Sequence, residues 1–192
     1  PIKTGWTQDD SWKIPSVCFV KKVGDEFVDE GVRPADFNGD GLVDILYGKM
    51  ITGGICNAGT QRRAWINNGT NWVEDGNWTP PECFADTDAA DRGIRLEDVN
   101  GDGLVDILRG FGDPQGNCDA EIDRNAWINN GTAWVQDNSW MPPVCFTFTT
   151  HIDKGVRLAD VNGDGLVDIL KAVSVPPPDK HAWINNGTGW LQ

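Results

Sequence analysis

The chain has 192 residues, 39% of them hydrophobic, and a formal net charge of −13. That length supports a substantial core, and the acidic balance excludes nucleic acid, whose phosphates require a basic surface. No apolar run is long enough for a membrane span, and with no initiator Met or signal peptide in view the expectation is a processed or excised piece.

Residues 1–30 read as a partial repeat, terminal strands that complete another unit. Within them Thr4-Gly5-Trp6-Thr7-Gln8 duplicates Thr188-Gly189-Trp190-Leu191-Gln192, so the first residues occupy the position the last ones reach. Three tandem repeats of about 62 residues follow, at 31–92, 93–154 and an incomplete 155–192. Each opens on one sentence: DFNGDGLVDIL from Asp36, then DVNGDGLVDIL from Asp98 and from Asp160. Oxygen-bearing side chains stand at its first, third, fifth and ninth places: Asp36, Asn38, Asp40 and Asp44; Asp98, Asn100, Asp102 and Asp106; Asp160, Asn162, Asp164 and Asp168. The seventh place offers the backbone carbonyl of Leu42, Leu104 or Leu166, and a glycine at the sixth supplies the turn. A tight loop with that spacing wraps a hard cation in oxygen. Ca²⁺ suits it better than Mg²⁺, which demands a stiff octahedron, or zinc, for which no loop holds His or Cys. The bland alternative is a polar turn built from Asn-Gly and Asp-Gly. Recurrence of every ligand position in all three copies favours three Ca²⁺.

An EF-hand would place Glu at the twelfth position between helices. Here the twelfth positions hold Tyr47, Arg109 and Lys171, and the flanks Val32-Arg33-Pro34-Ala35 and Leu42-Val43-Asp44-Ile45-Leu46 are short and β-branched. The expectation is a hairpin whose tip is the loop. Following one strand and opening another, D-x-N-G-D-G-x-x-D-I-L resembles the FG-GAP/VCBS-type repeat of integrin-like β-propellers. That resemblance implies a blade of about four antiparallel strands per repeat, with the aspartate-rich hairpin binding calcium through the residues named above. The remainder of each unit, long and rich in Trp and Cys, departs from the family.

Beyond a variable segment, AWINNGT recurs at Ala64, Ala126 and Ala182 and reads as strand, tight turn, strand. A third block starts at Trp72, Trp134 and Trp190 and, in the first two copies, runs on to Cys83-Phe84 and Cys145-Phe146. The fold class is therefore all-β: three four-stranded antiparallel blade-like repeats, β-propeller-like or an open array. Recurring Trp residues suit a core between repeats better than sugar-stacking platforms. Asn68, Asn130, Asn186 and Asn77 head N-glycosylation sequons, although Asn-Gly is equally what a tight turn wants. Cys18, Cys83 and Cys145 each precede Phe, and Cys56 and Cys118 lie in variable segments. Their placement leads us to expect disulfides Cys18–Cys56 and Cys83–Cys118, with Cys145 alone.

Neither His151 nor His181 falls in a repeated block or beside a nucleophile, and a site present three times is structural, so the chain is not expected to be an enzyme. Calcium loops, disulfides and sequons agree on an extracellular or cell-surface location. The function expected is a calcium-stabilised structural protein that assembles with copies of itself through unfinished terminal repeats, as a surface structure, adhesive array or fibril. The alternatives are a lectin-like, carbohydrate-binding propeller and a scaffold segment of a larger receptor or enzyme.

Overall fold

The computed structural model describes residues 9, 12–113, 115, 117–119, 123–148, 152–174 and 176–192. Residues 4–8, which duplicate the C-terminal strand, and His151 lie outside them. Among the described residues every named element is a strand except two single-turn 3-10 segments, and no helix is long and apolar enough to cross a membrane.

Strands β1 (Val20–Val23) and β2 (Glu26–Asp29) form a hairpin. Next come β3 (Val32–Ala35), β4 (Asp44–Gly48), β5 (Arg62–Asn67) and β6 (Trp72–Glu74), an antiparallel meander in chain order. The pattern recurs in β7 (Ile94–Glu97), β8 (Asp106–Gly112), β9 (Arg124–Asn129) and β10 (Trp134–Gln136). Here a fifth strand, β11 (Thr147–Phe148), departs from the antiparallel expectation by running parallel to the end of β8. A last meander holds β12 (Val156–Ala159), β13 (Asp168–Val173), β14 (Asp179–Asn185) and β15 (Trp190–Leu191). The sheets form no closed barrel among the described residues.

The second strand of each meander explains how the sheets stack. Alternate side chains of a strand point to opposite faces, and in β4 both Ile45 and Leu46 are buried. Leu46 packs with Ile107 of the next sheet, and Leu108 of that sheet packs with Ile169 of the one after. Strands covered on both faces read as the short apolar run D-I-L rather than as alternation. Fully burying one such side chain contributes about 1.5–3 kcal/mol, so the stacked faces dominate the stability of the array. Trp65, Trp78, Trp140 and Trp183 are all buried in these clusters, which is the core role expected of them.

Trp78 and Trp140 end 3-10 turns that Asp75 and Asp137 cap, accepting from Asn77 N and Ser139 N at 2.9 Å. Their carbonyls accept from the indoles of Trp134 and Trp190, at 3.1 and 3.2 Å, across to the following repeat. The chain then returns onto its own sheet, where Phe84 N donates to Gly48 O at 2.8 Å and Phe146 N to Gly110 O at 2.7 Å. A Cβ on Gly48 or Gly110 would stand 3.0 Å from that returning backbone, so glycine lets the two segments touch.

This return corrects the expected disulfides. The bonds are Cys56–Cys83 and Cys118–Cys145, while Cys18 is free and exposed. Neither Cys18–Cys56 nor Cys83–Cys118 forms. The backbone bonds from Phe84 and Phe146 hold each Cys-Phe pair against the sheet it has just left, beside that repeat's own variable loop, rather than against the next repeat's. The signal was present in the sequence: the observed pairs share a separation of 27 residues, whereas the expected pairs are separated by 38 and 35.

Candidate metal centres

The three aspartate-rich segments are hairpin tips, joining β3 to β4, β7 to β8 and β12 to β13. Antiparallel pairs Ala35–Asp44, Glu97–Asp106 and Ala159–Asp168 close them. The sixth-place glycines Gly41, Gly103 and Gly165 have φ of +85°, +87° and +88°, a left-handed conformation that a Cβ penalises.

Within the first tip, Asp36 accepts from Gly39 N through Oδ1 and from Gly41 N through Oδ2, both at 2.8 Å. Asn38 Oδ1 accepts from Asp40 N at 3.0 Å, and Asp40 Oδ1 from Leu42 N at 2.8 Å. The same bonds recur around Asp98, Asn100 and Asp102, and around Asp160, Asn162 and Asp164. Side chains at the first, third and fifth places therefore fold the loop about themselves. The N–H groups of Gly165 and Gly163, donating to Asp160, hold its carboxyl below the ordinary carboxylate range.

The ninth-place aspartates differ. Asp44, Asp106 and Asp168 have no exposed surface. Asp44 Oδ1 accepts from Asn67 N at 2.7 Å, and Oδ2 receives Phe37 N at 3.4 Å. Asp106 takes Asn129 N and Val99 N at 2.8 and 3.0 Å, and Asp168 takes Asn185 N and Val161 N at 2.8 and 2.9 Å. Burial pushes both Asp44 and Asp106 up to about 6, with the backbone donors opposing it. The charged neighbours acting on them carry the same sign: Asp40 on Asp44, and Asp102 and Asp98 on Asp106.

Buried charges are normally paired or bound to metal, and the carboxylates and amide oxygen that the same loop carries are ligand types that suit a hard divalent cation. Ca²⁺ would supply the missing opposite charge. In each loop the three aspartates, the asparagine Oδ1 and the seventh-place carbonyl would hold it. Among the described residues no three carboxylate, imidazole or thiolate groups are already gathered into a cage. Asn38 Nδ2 instead donates to Asp40 Oδ2 at 3.0 Å, and Asn100 and Asn162 donate likewise at 2.9 and 2.8 Å. The donor set thus fits the ion, and the polar loop bonds keep the hairpin tip formed.

Two repeated features escaped the sequence reading. The first is Asp-x-Gly-x-Arg ahead of each loop. Asp29, Asp91 and Asp153 accept from the N–H of Gly31, Gly93 and Gly155 at 2.7, 2.8 and 2.7 Å. They also pair with Arg33, Arg95 and Arg157 at 2.6, 2.9 and 2.8 Å. A search for blocks 62 residues apart would have found it. The second is the first asparagine of I-N-N. Asn129 Nδ2 donates to Phe37 O, and Asn185 Nδ2 to Val99 O, both at 2.7 Å, joining each repeat to the loop of the one before. No local signal reveals that partner.

The second asparagine builds the turn. Asn68 Oδ1 accepts from Thr70 N, Thr70 Oγ1 and Asn71 N at 2.8–3.0 Å, and Asn130 and Asn186 repeat the arrangement with their own threonines. The amide nitrogen, where a glycan would attach, takes no part in those bonds. Asn77 is exposed in the 3-10 turn. His181 pairs with Asp179 at 3.1 Å and meets Gln192 at 2.8 Å. No family model matches the chain, and no curated protein matches it.

Proposed function

We propose that this protein is an extracellular, calcium-stabilised β-repeat scaffold of the FG-GAP/VCBS kind that builds an assembly from copies of itself. The observation that carries the reading is the fully buried aspartate at the ninth place of each of three congruent loops, which makes no ion pair among the described residues and, at Asp44 and Asp106, is acted on by carboxylates of its own loop. Ca²⁺ at each tip pins the first two strands of a repeat, and the stacked repeats transmit that rigidity along the array. Two disulfides are compatible with an oxidising location outside the cell. A structural role suits the burial of Trp65, Trp78, Trp140 and Trp183.

The test is calcium titration of the purified chain beside light scattering with and without chelator. Three bound equivalents and chelator-sensitive particles larger than a monomer are expected. A chain that binds no calcium at millimolar concentration loses the metal reading, and one that is monomeric in both conditions loses the assembly reading.

A further inference from the structure

The two internal junctions between repeats are built from the same contacts. At the first, Leu104 seats on Gly39, where an added Cβ would lie 2.7 Å from Leu104 Cδ2. Asn129 Nδ2 donates to Phe37 O at 2.7 Å, and Phe37, Leu46 and Ala64 are covered by Ile94 and Ile107. At the second, Leu166 seats on Gly101 at the same 2.7 Å. Asn185 Nδ2 donates to Val99 O at 2.7 Å, and Val99, Leu108 and Ala126 are covered by Val156 and Ile169.

One half of this junction is displayed, uncovered, by the third repeat. Val161 takes the place of Phe37 and Val99, yet it is 46% exposed where they are 0%. Ala182 is exposed and Leu170 half-buried, whereas Ala64, Ala126, Leu46 and Leu108 are fully buried. Gly163, the counterpart of Gly39 and Gly101, has nothing within 4 Å of an added Cβ.

The other half is displayed by the first repeat. Leu42, the counterpart of Leu104 and Leu166, is 37% exposed. Asn67 is buried, but among the described residues its Nδ2 donates only to Val43 O of its own repeat, at 3.1 Å. The Trp72 indole turns to the same carbonyl, at 3.2 Å, although Trp134 and Trp190 donate across a junction. Phe19 is 41% exposed, while its counterparts Phe84 and Phe146 are 0%.

We infer that the exposed face of the third repeat, formed by Val161, Gly163, Leu170 and Ala182, binds the first-repeat face of a second copy of this chain and reproduces the internal junction between molecules. The inference rests on the self-association reading above and gives it a geometry. The occupant is a second copy because one molecule carries both halves of a junction that it already makes twice. Leu42 of the second copy seats on Gly163, and its Asn67 Nδ2 donates to Val161 O. Such a contact is head-to-tail, so repetition closes a ring or propagates a filament.

The intermolecular junction has no covalent staple. Cys18 of the second copy meets a variable segment, 173–178, that contains no cysteine. Ala172 also replaces the glycine of Gly48 and Gly110, where a Cβ stands 3.0 Å from the returning backbone. The second copy's segment must therefore lie slightly farther out. Its Trp12-to-Cys18 stretch is one residue longer than Trp78-to-Cys83 and Trp140-to-Cys145, which supplies the slack. The contact is held by packing and hydrogen bonds and is reversible.

Sedimentation velocity in millimolar calcium tests the pairing. The unaltered chain is expected to form species larger than a monomer as concentration rises. Ala182→Arg blocks the third-repeat face and Phe19→Asp the first-repeat face, so each variant alone is monomeric, with thermal melts confirming that both are folded. Their equimolar mixture forms dimers and nothing larger, because one intact pair of faces remains. An unaltered chain that is monomeric at every concentration removes the self-association reading along with this one. Assembly that persists in both variants, or folded variants that do not combine, leaves self-association standing and overturns the face pairing.

Discussion

Asp102 and Asp106 sit four residues apart in one loop and do different work. Asp106 is fully buried and takes two backbone N–H groups, from Val99 and Asn129. Truncating it strands both donors in a dry site, and each unsatisfied buried group costs about 1–3 kcal/mol. Asp106→Ala is therefore expected to lower metal-free stability by at least about 2 kcal/mol in urea unfolding with chelator present. Asp102 is exposed, and its truncation changes metal-free stability by less than about 0.5 kcal/mol. On the calcium proposal Asp102→Ala removes a ligand, so calorimetry should count two equivalents at high affinity rather than three. Undiminished stoichiometry in that variant would count against the ligand assignment. The spacing of these residues was legible because ligands, turn glycine and hairpin all fall within eleven consecutive residues. The different fates of the two carboxylates were not, since burial of Asp106 depends on Asn129, 23 residues away.

Strands were legible where both neighbours impose the same pattern, as with Val32-Arg33-Pro34-Ala35, which coincides with β3. The disulfides show the limit at this scale. Correlated placement tied each variable-segment cysteine to a Cys-Phe block, but the choice between the preceding and following block is made by the bonds from Phe84 N and Phe146 N onto β4 and β8. Alkylation of the folded, unreduced protein is expected to label Cys18 alone, and a non-reducing peptide map should recover Cys56 with Cys83 and Cys118 with Cys145. Labelling of Cys145 would restore the pairing expected from sequence. Each bond closes a loop over a separation of 27 residues, which on chain-entropy grounds contributes about 3.5 kcal/mol. Reduction should therefore shift the denaturation midpoint strongly.

For the molecule as a whole, the governing quantity is acidic charge held in a compact stack. The formal net charge is −13, and three Ca²⁺ would bring it to about −7, relieving self-repulsion where carboxylates crowd. An ion that binds the folded chain only adds about 2.7 kcal/mol per site at a hundred times its dissociation constant. Chelation is accordingly expected to lower the melting temperature by many degrees, and readdition of calcium to restore it. Identical melting curves with calcium and with chelator would end the proposal that these loops are metal centres. Stacking also makes stability nearest-neighbour in character, so among the described residues the first and third repeats, each with one less-covered face, are the weakest points of the array.

The amino-acid sequence by itself determined the repeat, its period, the all-β class and the position of every loop aspartate and asparagine, because each is written within a few residues and then written again. Only the tertiary structure decided which neighbour each cysteine meets, which asparagine joins one repeat to the next, and which copy of an apolar face is left open. Those depend on residues tens of positions apart being brought together by the stacking of one sheet on another. A repeating sequence assigns identical partners to every copy, whereas a stack with two sides cannot provide them.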